Sequence, residues 1–240
     1  MSHRYVYAIG ARGTRLPSTL RGWSGAPIGN VEAGELVAFA TAVDASHRRP
    51  TSENLVSHEL TVEDIRRFVP ALPARFGTVL PTAEGVRRAL LARHDLLLDA
   101  LRRVGDKLEM GIVIVGPDAH HPVARGIYER LRAYVLEVSR ACPAAAPVLL
   151  RGAFLLASGD VVRLRRAFTR ITHAEDRVRC LLSGPWPPYS FIVTEPEPTD
   201  VSAQYPSRYT PTATPTSRTG RWRPDARPSE GPPVRRSLRR

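Results

Sequence analysis

A break in composition near Pro196 limits what this chain of 240 residues can fold into. From 196 to 240 there are nine prolines, nine arginines and four acids, with one leucine, two valines and no isoleucine. Such a segment buries too little apolar surface to offset the entropy of ordering its backbone, and its prolines favour extended chain. The composition predicts a disordered, basic Pro/Arg-rich tail over 196–240. A core must then be built from residues 1–195, enough for one large domain or two small ones. Positive charge is spread over both parts: Lys+Arg is 35 against Asp+Glu 23, a net +12, and Lys107 is the only lysine. Two cysteines, Cys142 and Cys180, are too few for a disulfide framework and lack metal-ligand spacing. The opening residues carry a short apolar run broken by Gly10 and Arg12, unlike a signal peptide. With no apolar run of about 18 residues, the expectation is a soluble, cytoplasmic protein.

Within 1–195, strand-like and helix-like segments interleave. Tyr5-Val6-Tyr7-Ala8-Ile9 and Leu36-Val37-Ala38-Phe39-Ala40 read as strands bounded by glycine turns. Thr61 with Asp64 resembles a capping box opening a short helix that Pro70 stops. After a strand-like run over 73–80, Thr82 caps a helix whose apolar stripe is Val86, Leu90, Leu97, Leu101 and Val104, ended by Gly105. Leu108–Val115 reads as a buried strand. A second set follows: a helix over 122–141, a strand over 147–157, a helix from Ser158 to about Thr172 and a strand over 178–182. This order predicts an α+β fold in two small subdomains, 1–117 and 118–195, followed by the 196–240 tail.

Three blocks in order resemble the gas vesicle protein L/F family (GvpL/GvpF). The first is the opening strand at 5–9, followed by Gly25-Ala26-Pro27 and Gly34-Glu35-Leu36-Val37-Ala38. The second is Leu72-Pro73-Ala74-Arg75-Phe76-Gly77-Thr78-Val79 with the following helix and strand. The third is Ala153-Phe154-Leu155-Leu156 with the closing Gly184-Pro185-Trp186-Pro187-Pro188-Tyr189-Ser190-Phe191. The resemblance spans about 5–193. It implies two α/β domains, the N-terminal one ferredoxin-like, and a non-enzymatic accessory protein of gas vesicle assembly. Its implied partners are the small hydrophobic shell subunit and other accessory proteins, with no cofactor.

The residues themselves allow two readings at each block. Arg75-Phe76-Gly77-Thr78 is either a strand end bent at Gly77 or the edge of a partner-binding groove carrying Arg75 and Phe76. Gly184, Pro185, Pro187 and Pro188 make a stiff segment. Its aromatic residues either plug the core, as Phe191 and Trp186 do in one reading, or present Trp186 and Tyr189 to a partner. His120-His121 lack the third ligand a metal site requires, and His94 falls at the edge of an apolar helix face. Gly10-Ala11-Arg12-Gly13-Thr14 lacks the lysine and spacing of a phosphate loop and reads as a turn. The arginine excess, with Tyr205, Tyr209 and Trp222 interleaved in the tail, supports an alternative reading as a nucleic-acid-associated protein. A solvating tail encoded by a GC-rich genome is the plainer account. Arg75, Phe76, Trp186 and Tyr189 are therefore the partner-binding candidates, and Gly77, Thr78, Gly184, Pro185, Pro187, Pro188 and Phe191 hold the shape of their segments.

Overall fold

Two antiparallel sheets organise the chain, and the computed structural model describes residues 3–44, 51–139 and 147–192. The first sheet holds β1 (His3–Ala11), β2 (Gly29–Ala33), β3 (Leu36–Val43) and β4 (Ala71–Pro73) in the order β2-β3-β1-β4, and β5 (Val79–Leu80) also pairs with β1. β1 and β3 are apolar on both faces because both faces are covered. Tyr5, Tyr7, Val37 and Phe39 face helix α1 (Ser52–Phe68), meeting Val62 and Ile65. Val6, Leu36 and Ala38 face α2 (Ala83–Ala92) and α3 (His94–Val104), meeting Val86, Leu90, Leu101 and Val104.

The second sheet holds β6 (Leu108–Val115), β7 (Glu137–Val138), β8 (Val148–Leu156) and β9 (Arg179–Trp186) in the order β7-β8-β6-β9. Helices α4 (His121–Arg132) and α5 (Val161–Thr172) connect β6 to β7 and β8 to β9. This is a complete ferredoxin-like βαββαβ unit. The first sheet has the corresponding strand order, but β1 reaches β2 through a coil with one 3-10 turn (Trp23–Gly25) rather than a helix. On one face of the second sheet, Met110, Ile112, Ile114 and Phe154 pack against Ile127 and Leu131 of α4 and Leu164 and Ile171 of α5. On the other face, Ala153 and Leu155 join the core of the first sheet.

Several boundaries differ from the sequence expectation. A division after residue 117 leaves Leu108–Val115 with the first sheet, whereas β6 pairs along its length with β8 and β9. The described elements of both sheets fall in one compact unit, Met1–Glu195. α1 begins nine residues before Thr61: Thr51 is the cap, its hydroxyl accepting the Asn54 N–H at 3.2 Å. Thr61 is buried inside the helix and donates to the Ser57 carbonyl at 2.9 Å, the bond of a mid-helix threonine. The single helix expected from Thr82 is two, bent at Arg93, although Thr82 does cap it by accepting from Gly85 N–H at 3.0 Å. α4 stops at Arg132, and Val138, inside the span of the helix expected over 122–141, instead pairs with Phe154 as part of β7. The tail over 196–240 and Cys142 lie outside the described residues.

A half-buried arginine fastens the two halves. The Arg66 guanidinium, at the end of α1, donates to the carbonyls of Ala71, Gly105 (2.9 Å) and Lys107 (2.5 Å). It therefore ties β4 to the start of β6. Burial lowers its pKa to about 10, which still leaves it charged at neutral pH.

Candidate functional site

The Arg75-Phe76-Gly77-Thr78 block forms a tight turn between β4 and β5, both of which pair with β1. The Thr78 N–H and hydroxyl both donate to the Arg75 carbonyl, at 3.1 and 2.7 Å. Gly77 takes φ +81° at the third turn position, which L side chains rarely adopt. Open space lies where its Cβ would be, so the glycine is needed for conformation and not for clearance.

A buried polar relay fixes this turn from below. The Tyr5 hydroxyl accepts the Gly77 N–H at 3.1 Å and donates to His58 Nδ1 at 3.0 Å. His58 Nε2 lies 3.0 Å from the Ala74 carbonyl, an acceptor, so the proton sits on Nε2 and Nδ1 is free to accept from Tyr5. His58 is fully buried in α1, and burial raises the Tyr5 pKa above its ordinary value. Around this relay stand Tyr7, Trp23 and Phe76, with ring centroids 5.1 to 6.3 Å apart. The Tyr7 hydroxyl accepts the Trp23 N–H at 2.7 Å. Phe76 is thus half-buried on the aromatic cluster while Arg75 projects into solvent.

The closing block reaches the same place from the second sheet. Pro187 and Pro188 are buried, and Tyr189–Phe191 make a 3-10 turn. Tyr189 Oη comes within 3.5 Å of His58 Nε2. Ser190 donates its N–H and hydroxyl to the Glu109 carboxylate at 2.8 and 2.7 Å. Phe191 is buried in the core shared by the two sheets, and its carbonyl accepts from Arg103 at 2.6 Å. Arg103 also forks onto both carboxylate oxygens of Glu137, at 2.8 and 2.6 Å. Burial holds the Glu109 pKa above the usual carboxylate range, partly offset by the Ser190 bonds.

Phe76 and Tyr189 therefore meet around His58, with Arg75 exposed on the adjoining turn. Trp186 stands apart from that cluster, at the end of β9: it is 40% exposed and its indole N–H donates to the Ser183 hydroxyl at 3.4 Å. Phe191, not Trp186, plugs the core. His58, Glu109 and Arg103 escaped the sequence reading. A lone carboxylate in the apolar run 108–115 was the available signal for Glu109, whereas His58 lay ahead of the expected helix start.

Other candidates resolve as structure. His94 Nε2 accepts the Glu35 N–H at 3.3 Å and packs against the turn at Gly34, at the bend between α2 and α3. Burial raises the Cys180 thiol to about 11, which keeps it protonated. Gly10–Thr14 runs into a plain turn closed by Thr14 N–H to Ala11 carbonyl at 3.2 Å. No group of three or more metal-ligating side chains occurs among the described residues, His120 and His121 included. No helix among them is long and apolar enough to cross a membrane.

Comparison with known proteins bears on the same blocks. The family model described as gas vesicle synthesis protein GvpL/GvpF matches residues 3–122 and 118–193, which contain both the Arg-Phe-Gly turn and the closing aromatic–proline segment. Gas vesicle protein L of Streptomyces sp. (strain CB03234) is 28% identical over an alignment covering 78% of this chain and 92% of that protein. The crystal structure of GvpF from Anabaena sp. PCC7120 superposes with a TM-score of 0.69 at 18% identity, covering 83% of this chain and all of the other. That of GvpF from Microcystis aeruginosa gives 0.68 at 16% identity, over 80% and 99%. The two solved structures share the fold. The family match extends over both sheets and over the two segments that converge on His58, and the chain belongs to the gas vesicle synthesis protein family GvpL/GvpF.

Proposed function

We propose that this chain serves gas vesicle assembly by binding the small hydrophobic shell subunit, and other accessory proteins, rather than by catalysis. Family membership supports the role in gas vesicle assembly. The observation that carries the finer reading is the convergence of two distant blocks on His58. A buried relay and an aromatic cluster hold a surface turn rigid, with a charged Arg75 outside and a half-covered Phe76 beside it. Rigid presentation of an arginine and an aromatic ring lowers the entropy cost of binding, and both residue types are enriched where interfaces carry most of their energy. Tyr189 adds an aromatic wall, and Trp186 supplies a second exposed ring on β9. A subunit that polymerises through apolar surfaces needs partners that cover those surfaces before assembly.

Arg75→Ala and Phe76→Leu test this without opening the core. Each is expected to weaken capture of purified shell subunit by roughly tenfold, the loss of one interface anchor, while circular dichroism and melting temperature stay unchanged. Normal capture by both variants removes the turn from the binding surface.

A further inference from the structure

Two surfaces have no cover among the described residues, and they match each other. The first is the outer side of α1. His58, Thr61, Val62 and Ile65 mark its buried side. Glu53, Val56, Leu60 and Glu63 lie opposite, with Val56 57% and Leu60 54% exposed. An apolar pair is thus bracketed by two acids that have no basic partner among the described residues.

The second surface is the part of the second sheet's outer face that the first sheet leaves bare. Val113 stands between Arg151 on β8 and Leu181 on β9, and Val115 stands beside Arg179. Paired residues of antiparallel strands share a face, so these five side chains form one patch: three apolar groups between two arginines. Leu181 is 47% exposed, and both arginines are exposed without an acidic partner among the described residues.

The dimensions agree. Glu53 and Glu63 are about 15 Å apart along a helix axis. Arg151 and Arg179, two strands and one pleat repeat apart, are separated by about 12 Å between Cα atoms, a difference that arginine side chains span. A helix laid along the Arg151–Arg179 diagonal sets Val56 and Leu60 over Val113 and Val115, beside Leu181, with an acid at each arginine. The opposite face of the sheet is already covered by α4 and α5 in helix-on-sheet packing.

We propose that α1 of one copy docks on the open face of the second sheet of another copy, so that the chain self-associates through an acidic helix stripe and a basic sheet patch. Each copy carries both surfaces. The contact joins unlike patches and leads to a ring or a growing row unless a two-fold axis pairs them reciprocally.

The test is sedimentation velocity on the nuclease-treated full chain, from micromolar to submillimolar concentration. One variant reverses the helix, Glu53→Arg with Glu63→Arg. A second reverses the sheet, Arg151→Glu with Arg179→Glu. The wild type is expected to associate with concentration, and each reversed chain alone to associate roughly tenfold more weakly. Mixed one to one, the two reversed chains regain the association, because a basic helix then meets an acidic sheet and an acidic helix meets a basic sheet. That recovery also shows that both variants are folded. A wild type that stays monomeric, reversals without effect, or a mixture that fails to recover each overturns the proposal.

Discussion

At the scale of single residues, the turn that carries Arg75 and Phe76 depends on a hydroxyl that never reaches solvent. Tyr5 serves both Gly77 and His58, so Tyr5→Phe strands a backbone donor and an imidazole acceptor in the interior. The expected cost is about 1–3 kcal/mol in urea denaturation, and an unchanged midpoint would remove the relay from the account. Glu109 behaves differently. Its pKa is raised in the folded state, so folding favours its protonated form. That contribution is present below the carboxylate's unfolded pKa and is lost as pH rises through the folded one. Glu109→Gln has no such titration. The stability of wild type relative to the variant is therefore expected to fall as pH rises above about 4, and a pH-independent difference would contradict the assignment. Neither role was legible beforehand. The value of Tyr5 and His58 lies in partners 53 and 72 positions away in sequence, and no periodicity marks them.

At the scale of elements, local chemistry was readable where turns and caps are local. Thr82 and the strand Leu108–Val115 stand as the sequence suggests. Thr61 with Asp64 has the spacing of a capping box and is none, because Thr51 caps the helix well before it and tertiary packing continues it through Thr61. The two-residue connection Gly34-Glu35 between β2 and β3 was also legible, but its neighbour was not. Gly34 has φ +56°, and a Cβ there would stand 2.8 Å from the His94 imidazole. Gly34→Ala is accordingly expected to cost about 1–3 kcal/mol through strain and crowding together. Thermal denaturation measures it, and a neutral result would mean that His94 swings aside freely.

For the whole molecule, the sheet to which β6 belongs decides the architecture, and hydropathy cannot decide it: a buried strand reads the same in either sheet. The two strand-rich halves share a core through Ala153, Leu155 and Phe191, and Arg103 and Arg66 span them by hydrogen bonds. Truncating the shared plug, Phe191→Ala, is expected to cost about 3–5 kcal/mol and to lower both halves together in one transition. Independent melting of the two halves would refute a common core. The central claim is binding of the shell subunit by the folded body. It is tested most directly by co-purifying the full chain, and the chain lacking 196–240, with purified shell subunit and with nucleic acid at low and high salt. Salt-resistant capture of the shell subunit by both forms, reduced by Arg75→Ala, is the expected result. Capture of nucleic acid alone, lost at high salt and with the tail, would contradict it.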